Sequence, residues 1–200
     1  MKLYYSPGAC SLAAHITLIE AGAKFDLEKV DLGTKKTGNG ADFLAVNPRG
    51  AVPVLVFDDG TVLTECAAIT MHVADNAPGS DMPAHGTIER ARLYEAFNYL
   101  SSELHKSYSP FFRPMSDEAR KAQTDLLNAR LSVIETRLGD GRTWIAGDHY
   151  TPADAYFFVL TSWSEGIGHD LSAYPHINAL RARIAARPAV RQAMKAEGLS

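Results

Sequence analysis

The two cysteines are the strongest potential nucleophiles in this sequence. Cys10 follows the turn "SPGA", which separates a short apolar run from a predicted helix that starts at Ser11. A thiol in the first turn of a helix faces unpaired backbone N–H groups, which stabilise the thiolate and lower the pKa. A cysteine can equally serve as a small buried apolar residue. The position alone therefore leaves a reactive thiol and a structural one as alternatives.

Two further short segments have residue types that suit the binding of a small peptide. Val52-Pro53 directly precedes the β-prone run "VLVF", where a cis proline would leave the Val52 backbone open to a peptide-like ligand. An ordinary trans proline at a strand entrance is the alternative. Glu65-Cys66 opens another predicted helix, whose free N–H groups could hold a carboxylate while Glu65 takes an ammonium group. Alternatively, Glu65 only complements the helix dipole.

A polar stripe runs along the long helix predicted after residue 87. Tyr94, Asn98, Ser102 and His105 recur at i, i+4, i+8 and i+11, and Lys106 flanks them. Such a stripe lines a cleft or a subunit interface, or it simply faces solvent. A histidine in a cleft titrates near neutral pH and can act as a base.

The elements that must position these residues change character along the chain. The first 80 residues alternate between strand and helix patterns, and Asp58-Asp59-Gly60 marks a hairpin between two β-rich runs. The polar segment "GTKKTGNGAD" is predicted to be an exposed loop. This order predicts a small α/β sheet with a right-handed crossover. The predicted elements are strands at 2–5, 25–32 and on both sides of residues 58–60, and helices at 11–22 and from residue 65.

The segment "NAPGSDMPAHG" (76–86) has the composition of a linker, and everything after it has a helical pattern. We therefore predict an α/β domain at 1–80 and an all-α domain at 87–200. The segment 152–163 is apolar nearly all round and predicts a central helix, with Thr151 as its cap and Asp154 reaching back to the cap amide. Apolar stripes predict three more helices: Leu93, Ala96, Phe97, Leu100 and Leu104; Leu127, Leu131, Ile134 and Leu138; Ile177, Leu180 and Ile184.

The composition excludes several classes of function. The chain has 200 residues, of which 46% are hydrophobic and 22% charged, and a net charge of −3, which is typical of a soluble globular protein. This charge gives no electrostatic footprint for nucleic acid or an anionic membrane. The longest apolar run, at 155–160, is too short to span a bilayer, and the N-terminus does not resemble a signal peptide. Two distant cysteines and seven scattered histidines predict a reduced, intracellular protein without a structural metal.

Four segments, in this order, resemble the bacterial beta-class glutathione S-transferases. They are "KLYYSPGACSLAAHI", "NPRGAVPVL" with "LTECAAI", "NYLSSELHKSYSP" and "IAGDHYTPADAYFF". The resemblance covers essentially the whole chain. It implies a thioredoxin-like α/β domain that binds glutathione, followed by an all-helical domain.

The resemblance also implies roles for individual residues of the first domain. Cys10 would face the glutathione thiol, and Val52, next to Pro53, would pair through its backbone with the cysteinyl part. Glu65 and the amide of Cys66 would hold the γ-glutamyl end. Tyr5 and Ser11 are alternative donors to the thiol, because related classes use a hydroxyl in this region, and Lys35 would take the glycyl carboxylate.

In the helical domain the resemblance assigns the acid/base or thiol-partner role to His105. Asn98 and Lys106 correspond to positions that face the site, some of them from a neighbouring subunit. The second substrate is expected on apolar surface near Tyr108, Phe111 and Phe112.

These roles predict a cytoplasmic, homodimeric, detoxifying enzyme that conjugates glutathione to small, largely apolar electrophiles, with no metal. One alternative is a thiol–disulfide oxidoreductase of glutaredoxin type, which would be monothiol because the chain has no CxxC motif. Another is a carrier of glutathione or other ligands without catalysis.

The sequence departs from the family at residue 66, where related transferases commonly have serine. A thiol is a weaker hydrogen-bond donor than a hydroxyl, so glutathione binding is expected to survive with a loss of less than about 1.5 kcal/mol. No Cys10–Cys66 disulfide is expected, because the two residues should contact opposite ends of a tripeptide.

Overall fold

The computed structural model describes residues 1–199, which form two compact units. The first unit comprises Met1–Met82 together with residues 187–199, and the second comprises Pro83–Ala186. The boundary at Met82 falls inside the predicted linker. The last helix of the chain belongs to the first unit, where it packs against the helix that starts at Ser11. Its apolar pattern indicates a helix but carries no information about which surface that helix covers.

A five-stranded mixed sheet forms the centre of the first unit, with the strand order β3-β2-β1-β4-β5. β1 is parallel to β2, and the other neighbouring strands are antiparallel. The parallel pair has α1 between its strands in sequence, as the predicted crossover requires. The strands are β1 (Lys2–Tyr5), β2 (Asp26–Asp31), β3 (Lys36–Thr37), β4 (Val54–Val56) and β5 (Val62–Thr64).

Alternating side chains give the sheet a core on each face. Leu3 pairs with Leu27 on one side and Leu55 on the other, and this face packs against the first two helices, α1 (Ser11–Glu20) and α2 (Cys66–Asp75). The opposite face is covered by a short 3₁₀ segment. Its core consists of Val30, Phe43, Val52 and Val54.

The predicted exposed loop at residues 33–42 contains a short strand, β3, which the sequence pattern does not indicate. Asp31 accepts the N–H groups of Gly33 and Thr34 at 2.8 and 3.1 Å, and this closes a tight turn. The turn returns the chain antiparallel to β2, with Thr37 opposite Val30. Two paired residues are too few to produce a period-2 hydrophobic signal, which explains why the prediction missed them.

Helices make up the second unit, and the three predicted apolar stripes all lie in its interior. The first ten residues of the central helix α6 are all buried, as its apolar composition predicts. The helices are α3 (Ile88–Tyr99), α4 (His105–Tyr108), α5 (Asp117–Leu138), α6 (Pro152–Gly166) and α7 (Pro175–Ala185). The last helix of the chain, α8 (Pro188–Glu197), belongs to the first unit.

The start of α6 has the capping box that its sequence predicts. The Asp154 carboxylate accepts the Thr151 N–H at 2.8 Å, and its other oxygen accepts the Ile145 N–H at 2.8 Å.

Within residues 1–199, no helix is both long enough and apolar enough to cross a membrane.

Candidate functional site

A compact turn between β1 and α1 positions Cys10. Gly8 adopts a φ of +70°, which favours glycine, and the Ala9 N–H donates to the Ser6 carbonyl at 3.0 Å. The buried Ser11 hydroxyl closes the turn, since it donates to the Ser6 carbonyl at 3.2 Å and accepts the Ser6 N–H at 3.1 Å. Cys10 is therefore the residue that immediately precedes the first turn of α1, as the sequence predicts.

The thiol of Cys10 is partly exposed and lies beside the loop that leads into β4. It donates to the Val52 carbonyl at 3.2 Å, and the Val52–Pro53 peptide bond is cis. Among residues 1–199, no group accepts a hydrogen bond from the Val52 N–H. The structure thus joins two of the predicted segments, which are 42 residues apart in the sequence, in one place.

Cys66 lies next to Cys10, a contact that was not predicted. Its sulfur donates to the Cys10 carbonyl oxygen at 3.5 Å. The residue is only 7% exposed, and this burial raises the pKa of the Cys66 thiol well above its usual value. The first turn of α2 packs directly against the first turn of α1, and the sequence contains no signal for that contact.

Glu65 stands at the start of α2 with a strained backbone. Its φ of +73° lies in the left-handed region, which costs a residue other than glycine about 1–3 kcal/mol. Its exposed carboxylate pairs with Arg49, from the loop before β4. Strain of this kind concentrates at sites that hold ligands. The Glu65 carboxylate remains exposed to solvent beside Arg49.

Lys35 reaches the same loop from the turn between β2 and β3. Its Nζ donates to the Gly50 carbonyl at 2.8 Å, two residues before Val52. The structure therefore connects these predicted residues of the first unit through contacts and chain neighbours, with Val52, Pro53 and Cys66 buried. In the order of their contacts, these residues are Lys35, Val52, Pro53, Cys10, Cys66 and Glu65.

A buried polar group beneath the turn was not predicted. The Glu197 carboxylate, near the end of α8, accepts the Gly8 N–H at 3.0 Å and the His15 Nδ1–H at 2.9 Å. The side chains of His15 and Glu197 are 2% and 0% exposed. The C-terminal helix is thereby fixed to the turn that carries Cys10. No local pattern links residues 182 to 189 positions apart, so sequence reasoning had no signal for this contact.

Tyr5, one of the alternative donors, lies in the core beneath the same turn. Burial, together with the nearby Glu197 carboxylate, raises the pKa of the Tyr5 hydroxyl. Ser11, the other alternative, has its hydroxyl within the turn. Of the three candidate donors Tyr5, Cys10 and Ser11, Cys10 is thus the most exposed residue.

In the second unit, a π-helical segment changes the predicted polar stripe. Leu100–Leu104 is π-helical, and its wider turn rotates the residues that follow relative to a regular α-helix. As a result, Tyr94, Asn98 and Ser102 line one surface groove, whereas His105 is absent from that groove. The prediction of one stripe was wrong at His105, because it assumed 3.6 residues per turn throughout.

His105 points instead toward an aromatic cluster on α6. Its Nδ1 lies 2.7 Å from the hydroxyl of Tyr156, and its ring is 4.9 Å from that of Trp163. Tyr156 and Trp163 were not identified as functional residues, although both lie in the helix predicted to be central. The hydrogen bond fixes the orientation of the imidazole, which is what an acid or base requires of its support.

Three aromatic residues proposed for the second substrate differ in exposure. Phe112 is 57% exposed, and its ring stands edge-on to Trp163 at 5.4 Å. Phe111 and Tyr108 are buried. The Tyr108 hydroxyl lies 2.6 Å from the Ser164 Oγ, and burial raises the pKa of Tyr108 to about 12. Phe112 is therefore the exposed member of this set, and its ring contacts Trp163.

The remaining predicted residues, Asn98 and Lys106, are exposed on the helical unit.

Within the part of the chain that the structure describes, no group of three or more His, Cys, Asp or Glu side chains is arranged to hold a metal ion.

Comparisons with known proteins identify the family of this chain. Residues 8–76 match the family model of the glutathione S-transferase N-terminal domain, and residues 99–188 match that of the C-terminal domain. The glutathione S-transferase GstA of Escherichia coli O157:H7 is 45% identical over 201 residues, with 100% of both chains covered.

Solved structures give the same result. A bacterial beta-class glutathione S-transferase of Sphingomonas chungbukensis has 48% identity and a TM-score of 0.95, and a sphingomonad glutathione S-transferase in complex with glutathione has 46% identity and a TM-score of 0.94. Each comparison covers 100% of both chains. The protein therefore belongs to the glutathione S-transferase family, in its bacterial beta class, and is a glutathione transferase.

Proposed function

We propose that this transferase conjugates the thiol of glutathione to small, largely apolar electrophiles and that Cys10 is the residue that faces the thiol. One observation carries the proposal: Cys10 is the N-cap residue of α1, its partly exposed sulfur lies 3.2 Å from the Val52 carbonyl, and its own carbonyl is contacted by Cys66, the first residue of α2. Two helix starts that meet at one point supply backbone N–H groups and positive dipole ends, which stabilise a thiolate. The relative solved with glutathione supports the identity of the ligand.

The other residues of this surface fit the rest of the tripeptide by their chemistry. The Val52 N–H, which has no acceptor among residues 1–199, can donate to the cysteinyl carbonyl of glutathione. The N–H groups at the start of α2 suit the γ-glutamyl carboxylate, and Glu65 suits its ammonium group. Lys35 suits the glycyl carboxylate, since its ammonium group already lies at this loop.

For the helical unit we assign the acid/base role to His105 and the contact with the electrophile to Phe112 and Trp163. The hydrogen bond between the Tyr156 hydroxyl and His105 Nδ1 orients the His105 ring, and the exposed face of Phe112 offers apolar surface. In the reaction, the thiolate sulfur forms a bond to the electrophilic carbon, and the leaving group departs with its electron pair. A surface of this kind selects by size and hydrophobicity, so the specificity is broad.

The test compares the wild type with Cys10→Ser, using glutathione and a chromogenic aromatic halide. If Cys10 supplies the main stabilisation of the thiolate, kcat falls by about tenfold or more, which corresponds to at least about 1.4 kcal/mol of transition-state stabilisation. His105→Gln is the matched comparison from the other unit. If Cys10→Ser conjugates as well as the wild type, the thiol donor is Ser11, Tyr5 or His105 and the assignment to Cys10 is wrong.

A pH profile of the alkylation of Cys10 tests the electrostatic part of this argument. Iodoacetamide reacts with the thiolate, so the rate against pH reports the pKa of Cys10. The helix starts predict an inflection below the value of about 8.5 that is usual for a free thiol. The Cys10→Ser variant provides the background rate, and an inflection at or above 8.5 would contradict the dipole argument.

The protein is further proposed to work as a cytoplasmic homodimer. The groove lined by Tyr94, Asn98 and Ser102 supports this assignment, since it joins aromatic and polar groups on an exposed helix face, as subunit interfaces do. Light scattering coupled to gel filtration distinguishes a dimer from a monomer of 21.7 kDa.

A further inference from the structure

The two cysteines of the first unit lie within reach of each other. The Cys66 sulfur is 3.5 Å from the carbonyl oxygen of Cys10. By standard bond lengths this oxygen is about 2.4 Å from its own Cα, so the Cys66 sulfur lies within about 6 Å of the Cys10 Cα. The Cys66 sulfur is itself about 2.8 Å from its own Cα, so this contact bounds the Cα–Cα separation at about 9 Å. Rotation of the Cys10 side chain away from Val52, together with a movement of the two helix starts toward each other, brings the Cα atoms into the range of up to about 6.8 Å that a disulfide requires.

The two thiols also differ in solvent exposure, as an attacking thiol and a resolving thiol must. Cys10 is partly exposed, so a dissolved disulfide can reach it. Cys66 is 7% exposed and is covered by the start of α1, so it meets only what is already attached to Cys10. Attack by a solute therefore has a fixed order, with Cys10 first and Cys66 second.

We propose that Cys66 is a resolving thiol for Cys10, which gives the transferase a second activity, dithiol–disulfide exchange with glutathione disulfide. This activity goes beyond the proposed conjugation. It rests on that proposal in one respect, since both require that glutathione or its disulfide can reach the Cys10 thiol. The absence of a CxxC motif does not exclude it, because the packing of α1 against α2 brings together cysteines 56 residues apart.

The exchange consists of two balanced steps. The Cys10 thiolate attacks one sulfur of glutathione disulfide, whose S–S bond breaks; a mixed disulfide forms, and one glutathione leaves as thiolate and takes up a proton. Cys66 then gives its proton to solvent and attacks the Cys10 sulfur; the mixed disulfide breaks, and the second glutathione leaves. In total, two protein thiols are oxidised and one glutathione disulfide is reduced to two molecules of glutathione.

Burial of Cys66 sets the pace of the second step. Because burial raises the pKa of the Cys66 thiol, only a small fraction is ionised at neutral pH. The thiolate fraction, and with it the rate of resolution, rises about tenfold per pH unit below that pKa. The mixed disulfide accumulates near neutral pH and is resolved faster in alkaline solution.

The experiment follows the intact mass of the reduced full-length protein after glutathione disulfide is added and the reaction is stopped with acid. In the wild type, a glutathione-sized addition appears first and is then replaced by a species lighter than the reduced chain by two hydrogens. A peptide map without reductant contains Cys10 linked to Cys66. In Cys66→Ser and Cys66→Ala the addition forms and persists, and in Cys10→Ser neither species forms.

Three results would overturn the proposal. They are a glutathione addition that persists in the wild type as it does in Cys66→Ser, a disulfide that links two chains, and no reaction with glutathione disulfide at all. Conjugation by the reduced wild type is measured in parallel, so that the two proposals fail separately. Conjugation without an internal disulfide refutes only the exchange, whereas an internal disulfide without conjugation refutes only the proposed transferase substrate class.

Discussion

Asp154 in the helical unit and Glu197 in the sheet unit are both buried carboxylates that accept backbone N–H groups, but they join very different parts of the chain. Asp154 accepts from Ile145 and Thr151, which are 9 and 3 residues away. Glu197 accepts from Gly8 and His15, which are 189 and 182 residues away. The Asp154 carboxylate joins the start of one helix to the loop before it. The Glu197 carboxylate joins the last helix of the chain to the turn before Cys10 and to α1.

Their positions on their own helices strengthen the contrast. Asp154 lies in the first turn of α6, where a negative charge is favoured by the helix dipole. Glu197 is the last residue of α8, where the dipole disfavours a negative charge. The helix therefore gains nothing from Glu197 by itself, and the residue contributes through its contacts with the turn before Cys10 and with α1.

The largest effect is expected from Glu197→Ala. This change removes the Glu197 contact from the partly buried Gly8 N–H and breaks the buried pair with His15, and loss of one partner of a buried pair costs about 3–5 kcal/mol. The free energy of unfolding in urea measures this loss. Amide exchange at Gly8 should rise with it, because the turn is released.

Glu165→Ala is the matched control, since Glu165 also lies near the C-terminal end of a helix but is exposed. Its unfolding free energy should stay within about 0.5 kcal/mol of the wild type. If Glu197→Ala were equally mild, the buried contact would contribute nothing net, and the contrast between the two carboxylates would disappear.

A smaller loss is expected from Asp154→Ala, about 2–4 kcal/mol, because two backbone N–H groups lose their acceptor and the cap of α6 is removed. Amide exchange should increase at Ile145 and Thr151 and remain unchanged at Gly8. Increased exchange at Gly8 in this variant would show that the two carboxylates do not act on separate regions.

The same contrast explains how much of the molecule was predictable. Thr151 and Asp154 are separated by three residues, and that spacing alone indicates a capping box. The apolar stripes are local in the same sense, and each of them is buried as predicted. No sequence pattern indicated the contact between Glu197 and His15, because that contact depends on which surface α8 covers.

Within the site, the motifs identified the residues but not their contacts. Cys10, Val52 and Cys66 were each singled out by a local pattern, yet their proximity results from the packing of α1, α2 and the loop before β4. The contact between Cys66 and Cys10 was therefore not predicted. His105 was assigned to the wrong face because a π-helical segment has no sequence period of its own.

The smallest effect is expected from Tyr156→Phe, which tests a long-range contact that contains no carboxylate. The change removes the hydrogen bond between the Tyr156 hydroxyl and His105 Nδ1 but keeps the ring that packs against Phe97. A hydrogen bond of this kind contributes about 0.5–1.5 kcal/mol, less than either buried carboxylate. Urea unfolding measures the loss, and the imidazole signals of His105 in a nuclear magnetic resonance spectrum report its release.

Tyr99→Phe is the matched control, because it removes a hydroxyl that donates to the Arg130 carbonyl at 2.9 Å in the same unit without touching His105. We expect a similar loss of stability from both variants, with a change in the His105 signals only in Tyr156→Phe. Unchanged His105 signals in Tyr156→Phe would mean that stacking against Trp163 alone orients the ring. In that case the helical unit positions its candidate base by aromatic packing, whereas the sheet unit positions its thiol turn by a buried charge.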